Sequence, residues 1–151
     1  MTTSLDVVRA ARSFVGTPFA HQQRTPGVGM DCIGLLVCTA RALGIEHHDW
    51  QAYGRNPNGR TLVEKLSLSL DRVDVASLAV GDVACFWMLS PRLPQHVGIV
   101  SDVGLIHTWA ATLANGKHAT RMGQGGRVVE VAFGDDMRAR LHSAWRWRGL
   151  D

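Results

Sequence analysis

Cys32 is the thiol in this sequence best placed to do chemistry. It follows Asp31 at the first turn of an apolar helix, behind a glycine-rich loop. Unpaired backbone N–H groups and the helix dipole favour negative charge at such a position, so the thiol there is expected to ionise more readily. The same amides can receive the oxyanion that forms when a thiolate attacks a carbonyl. The other two cysteines, Cys38 and Cys85, lie inside apolar runs and read as small core residues. Three cysteines with no CxxC pair indicate neither a disulfide framework nor a zinc knuckle, and no metal or cofactor is expected.

A cysteine nucleophile needs an imidazole within reach, and the imidazole needs a third group to fix its tautomer. Of the seven histidines, His47, His48, His118 and His142 lie in turns or polar surroundings and read as solvated surface. His96 and His107 fall on two successive strand-like runs. If the four residues Ser101 to Gly104 form the loop between them, His107 stands opposite Gly98 and faces the same side as His96, one diagonal away. The absent side chain of Gly98 leaves room between the rings. A loop one residue different would turn His107 to the other face. Strand histidines taken alone are more often structural than catalytic.

The elements that must hold these groups follow from periodicity. Ser4 to Val15 reads as a helix capped by Thr3 or Ser4, with Leu5, Val8, Ala11 and Val15 on one stripe and Gly16-Thr-Pro18 as its stop. Residues 16 to 30 form a Gly- and Pro-rich loop. A second helix runs from Cys32 to Leu43 with Asp31 as N-cap and Gly44 as stop, apolar almost all round and so buried. A third, Thr61 to Leu70, is amphipathic. Then the pattern changes to short β-branched and aromatic runs at 81 to 87, 96 to 101, 105 to 110 and 127 to 133, as antiparallel strands read. A short helix near Asp135 to Leu141 and a strand from Ala144 to Arg148 follow. Helices first and strands afterwards predict one α+β domain over residues 1–151, its N-terminal helices packed on an antiparallel sheet. At 151 residues with 46% hydrophobic residues, the chain can bury a core without staples.

The net charge of +3 is spread over single arginines and not gathered into a basic run, so no nucleic-acid partner is indicated. No apolar stretch is long enough to insert in a membrane. Met1 to Asp6 shows no basic region followed by an apolar run, so a chain made in the cytoplasm without a secretion signal is expected.

Five motifs then stand in order: Gly16-Thr-Pro-Phe19, Asp31-Cys-Ile-Gly-Leu35, Gly81-Asp-Val-Ala-Cys-Phe86, His96-Val-Gly-Ile99 and Ile106-His107. Together they resemble the pattern of the NlpC cell-wall cysteine peptidases. Phe19-Ala-His-Gln22 ahead of Asp31-Cys32 is also similar to the short peptidases of bacteriophage tails and gene transfer agents. The resemblance implies a papain-like fold, with Cys32 as nucleophile, His96 as general base and acid, and His107 as the residue that orients His96. It implies a peptidoglycan stem peptide as substrate, cut between D-glutamate and a diamino acid, with Asp31 near the substrate's amino end.

Phe19 stands where many members have a tyrosine near the oxyanion, which leaves His21 or Gln22 as replacement donors. Ile33 stands where many have serine, so a preference for a free amino-terminal alanine is not carried over. The function expected is hydrolysis of the cell wall during DNA entry, on a particle whose tail hub or baseplate proteins are the partners. Trp50 and Tyr53, or the basic aromatic end Trp145 to Arg148, are expected to dock the domain there. The alternatives are a catalytically silent plug or adaptor of a tail tip, and an acyl-transfer or amidase enzyme on the same scaffold.

Overall fold

The computed structural model describes residues 1–50, 60–88, 90–109 and 126–151. The chain begins with α1 (Ser4–Arg12), a loop carrying the short ribbon β1 (Arg24–Thr25) and β2 (Gly29–Met30), then α2 (Cys32–Leu43) and α3 (Arg60–Leu66). Strands follow: β3 (Leu70–Val73), β4 (Val83–Trp87), β5 (Pro94–Val100), β6 (Leu105–Trp109) and β7 (Arg127–Val131), then a short α4 (Asp135–Ala139) and β8 (Leu141–Trp147). Six of the strands form one antiparallel sheet in the order β3-β8-β4-β5-β6-β7. This is the α+β arrangement predicted, with helices preceding the sheet they pack on.

α1 is set by a reciprocal cap. Thr3 Oγ1 accepts from the Asp6 N–H at 3.3 Å, and the Asp6 carboxylate accepts from the Thr3 N–H at 2.9 Å. The helix ends at Arg12, three residues before the predicted end, and its buried face is Val7, Val8 and Ala11. Leu5 and Val15 are 51% and 44% exposed, because Leu5 lies well round the helix from that face and Val15 lies beyond the last helical turn. α2 begins and ends where the sequence predicts. Asp31 Oδ1 accepts from the Gly34 N–H at 2.8 Å, and Gly44, at φ +65°, takes the left-handed conformation that ends the helix.

Two elements differ from expectation at the sheet's outer side. The helix predicted over Thr61 to Leu70 stops at Leu66, and Leu70 instead opens β3, whose pairing with β8 sets Leu70 opposite Trp147 and Val73 opposite Ala144. A four-residue strand with a single buried side chain carries too little alternation to show in the sequence. β8 starts at Leu141, so α4 is shorter than predicted, and β8 runs inside the sheet between β3 and β4. Trp145 and Trp147 are therefore buried, at 2% and 5% exposure, with Trp147 Nε1 donating to Gly81 O at 3.0 Å. Arg146 is held by the Asp82 carboxylate at 2.6 and 2.8 Å. The basic aromatic end is core and not a free docking segment. Trp50 is half-buried against the core, and Tyr53 lies outside the described residues.

The main core fills the space between α1, α2, α3 and one face of the sheet, where Val83, Cys85, Val97, Ile99, Ile106, Val128 and both tryptophans meet Leu35, Leu36 and Val37 of α2. A smaller cluster on the other face joins Ala84, Phe86 and Leu105, covered by Phe133, Met137 and Leu141. Cys38 and Cys85 are both buried, at 5% and 0% exposure, as read from the sequence.

Candidate active site

The register of the β5–β6 hairpin brings the two histidines together. The pairs are Val100 with Leu105, Ile99 with Ile106 and Gly98 with His107. The four-residue loop is closed by Ser101 N–H to Gly104 O at 2.9 Å and pinned by Ser101 Oγ, which accepts from the Val103 and Gly104 N–H groups. His107 thus shares a face with His96, and their ring nitrogens, Nε2 of His96 and Nδ1 of His107, meet at 2.8 Å with the rings inclined at 72°. A Cβ on Gly98 would stand 3.1 Å from the His107 Cβ and 2.9 Å from Leu105 Cδ1, so a side chain here would crowd the strand position of His107. Phe86, paired with His96 across β4 and β5, packs its ring 6.1 Å from the imidazole and closes the other side.

Cys32 meets the sheet at the end of the β5–β6 ladder. In an antiparallel ladder, N–H groups alternate sides, and the pair after Gly98 and His107 would join Val97 to Thr108. The β5–β6 ladder stops before that pair. The Val97 N–H instead faces the Cys32 sulfur, as does the Ile33 N–H of the helix's first turn. The start of α2 therefore lies where β5 and β6 part.

Burial decides the protonation states. The Cys32 thiol is pushed up to about 12, chiefly by burial and then by the neighbouring Asp31 charge, while the two N–H groups pull the other way. His96 is pushed down to about 3 by burial and next by His107, and His107 to about 4 by burial. At rest the site holds a neutral thiol and two neutral imidazoles. The helix terminus does not by itself make Cys32 ionise readily, because desolvation outweighs the amides. With His96 Nε2 given to His107, Nδ1 is the nitrogen left for the thiol. If His107 Nδ1 accepts, His96 carries its proton on Nε2 and presents a lone pair at Nδ1, the tautomer a base requires.

The floor of the site is tied by Asp31, buried at 4% exposure. Its carboxylate accepts from the Gly34 and Gln22 N–H groups, both at 2.8 Å, and from Arg24 Nη1 at 3.2 Å. Gln22 sits at φ +62°, a strained conformation for a side-chain-bearing residue, held there by its bond to Asp31. Arg24, its side chain 4% exposed, also donates to Asp49 Oδ1 and to Trp50 O, both at 2.8 Å. Gly34 lets the loop come this close: a Cβ there would lie 2.3 Å from Gln23 O.

Phe19 is half-buried, its N–H donating to Gly126 O at 2.9 Å and its backbone bridged to Met30 just before the nucleophile's helix. His21 is half-buried in the turn that leads to Gln22. Sequence reasoning passed over Arg24, whose acidic partners lie 7 and 25 residues away, too distant for any local signal. His142 is part-buried on β8, beside Ser143 Oγ at 2.9 Å, instead of solvated, while His118 lies outside the described residues. Among the described residues no group of three or more His, Cys, Asp or Glu could hold a metal ion, and no helix is long and apolar enough to cross a membrane.

No family model and no curated protein matches the chain in sequence. Solved structures do match in fold. An NlpC/P60 family protein from Bacillus cereus superposes over 96% of this chain with a TM-score of 0.63 and 19% identity. The chain has the NlpC/P60 fold. A second structure with this fold, NlpC1 from Trichomonas vaginalis, aligns over 93% of the chain with a TM-score of 0.60 and 18% identity. The chain spans 40% and 42% of the length of those two proteins. It covers 97% of the NlpC/p60 domain of the peptidoglycan hydrolase SagA, with a TM-score of 0.57 and 22% identity.

Proposed function

We propose that this chain is a cysteine peptidase that hydrolyses peptidoglycan stem peptides. The observation that carries the reading is the His96–His107 hydrogen bond, which fixes the imidazole that the reading pairs with Cys32 at the start of α2. In this reading the thiol proton passes to His96 Nδ1 and the sulfur attacks the scissile carbonyl carbon. The Cys32 N–H at the start of α2 receives the oxyanion, and His96 returns the proton to the leaving amine. Water, deprotonated by His96, then releases the acyl group. His107 holds the tautomer and supports the imidazolium. Phe19 and His21, on the loop before α2, are proposed to meet the stem peptide. Asp31 keeps the helix start in place and contributes to the polar floor.

Digestion of purified peptidoglycan with the wild type and Cys32→Ala tests this. Fragments ending at D-glutamate, read by mass spectrometry and absent with the variant, are expected. Failure to release any stem-peptide fragment would sink the reading. The burial of Cys32 and His96, which holds both neutral at rest, favours one competing reading, a silent adaptor on the same fold. The finer proposal is that the domain travels in the tail of a phage-like particle or gene transfer agent and acts on the wall outside the cell that made it. Its support is the Phe19-Ala-His-Gln22 and Asp31-Cys32 sequence, and proteomics of purified particles tests it.

A further inference from the structure

We propose that Arg12 is a positioning residue of this site: from α1 it clamps the loop between β5 and β6 to β7, and so holds His107 in the register that meets His96. The inference deepens the peptidase reading and rests on it for the roles of the two histidines. That register decides whether the rings meet, because a slip of one residue would turn His107 to the opposite face. Two strands and a turn hold register only weakly by themselves.

Here the hairpin is tied where its register is set. Arg12 turns one edge of its guanidinium to Glu130, with Nε donating to Oε1 and Nη2 to Oε2, both at 2.8 Å. Nη2 also donates to Asp102 Oδ1, inside the loop. Glu130 stands on β7 opposite Ile106, the residue before His107. One side chain of α1 thus joins the loop to the strand that pairs with the other edge of β6.

The loop is built to be held this way. Buried Ser101, whose Oγ accepts from the Val103 and Gly104 N–H groups, also supports Glu130: its carboxyl is held below the ordinary carboxylate range chiefly by Arg12 and further by a hydrogen bond from Ser101. Gly104 lets the end of β7 lie directly on the turn, since a Cβ there would overlap Val131 O. An arginine fork on a carboxylate fixes geometry even where, partly exposed, it adds little stability. The effect of the clamp therefore falls on the placement of His107 more than on the melting temperature.

Proton–nitrogen correlation spectra of protein carrying isotope-labelled histidine test this by reading the proton shared by His96 and His107, assigned by its absence from His107→Ala. Arg12→Ala is expected to weaken that peak at neutral pH by at least about fivefold, and to lower kcat on a peptidoglycan fragment about tenfold with KM and Tm little changed. Arg12→Lys, which keeps the charge but cannot fork to both carboxylates, is expected to fall between. Arg146→Ala removes a pair of the same kind, with Asp82, between β8 and the start of β4; it is expected to lower Tm more and to keep the peak. An undiminished peak in folded Arg12→Ala, or an equal loss in Arg146→Ala, overturns the proposal. If Arg12→Ala does not fold, Arg12→Lys is read in its place, and a peak of wild-type height there overturns it. The spectra need no substrate, so a wild type that shows this dependence on Arg12 yet cuts no peptidoglycan sinks the peptidase reading and leaves the clamp standing.

Discussion

His96 and His107 share one hydrogen bond, Nε2 to Nδ1 at 2.8 Å, across a hairpin whose register depends on a four-residue loop. An orienting group acts through that bond, so side chains that can still accept it are tolerated better than those that cannot. His107→Asn and His107→Gln are expected to lower kcat on a peptidoglycan fragment by about tenfold, and His107→Ala by about a hundredfold or more, with KM little changed. Steady-state kinetics on the three variants checks the order. Full activity in His107→Ala would remove His107 from the mechanism.

Cys32→Ala is expected to abolish hydrolysis while moving Tm by little, since it removes one sulfur atom and leaves the core hydrophobes in place. Cys85→Ala should keep activity and lose about 1 kcal/mol, because it opens a small hole at a site with no solvent exposure. Thermal melts and activity on the same preparations separate the two roles.

Acid stability should report the buried imidazoles. Both are held below their ordinary 6.5, His96 at about 3 and His107 at about 4, so the unfolded chain binds more protons than the folded one between those values. Their contribution is whole above about pH 6.5 and is lost as pH falls through that window, on the order of 3 kcal/mol for each by about pH 4. Urea midpoints from pH 7 down to about 4 should show the decline. A variant with glutamine at both positions should show a flatter one, and an equal slope in that variant would contradict the assignment.

Arg24 joins Asp31, Asp49 and the Trp50 carbonyl from a side chain that is almost fully enclosed. Arg24→Ala leaves the Asp31 carboxylate without its cation and is expected to cost about 3 kcal/mol. Arg24→Lys keeps the charge but loses the fork that serves three acceptors at once, so it should recover only part of the loss. Denaturant titration of both variants measures the difference.

Removal of residues 144–151 should prevent folding, because it takes away the strand between β3 and β4 and the two tryptophans that β8 contributes to the core. Loss of the near-ultraviolet circular dichroism signal is the expected result. A truncated chain with native spectra would contradict the placement of β8.

What the sequence made legible was whatever depends on local pattern. α2 could be bounded to the residue because its cap, apolar body and glycine stop are all contiguous. The histidine pairing could be derived because a short loop fixes hairpin register. Hidden were the relations made by partners far apart: β3, which exists only because β8 returns to pair with it, and the clamp of Arg24. The charge state of Cys32 was misread for a related reason. Helix position can be seen in sequence, whereas the depth of burial that outweighs it is a property of the packed molecule.

The place of β8 between β3 and β4 also bears on how the molecule is made. Synthesis runs from the N-terminus, so Cys32, His96 and His107 are polymerised before residues 141–147 exist. Until then β3 and β4 have an empty lane between them, Gly81 O waits for the indole of Trp147, and Asp82 waits for Arg146. The proposed site residues are thus translated early, but the sheet that carries the two histidines closes only when one of its inner strands arrives late.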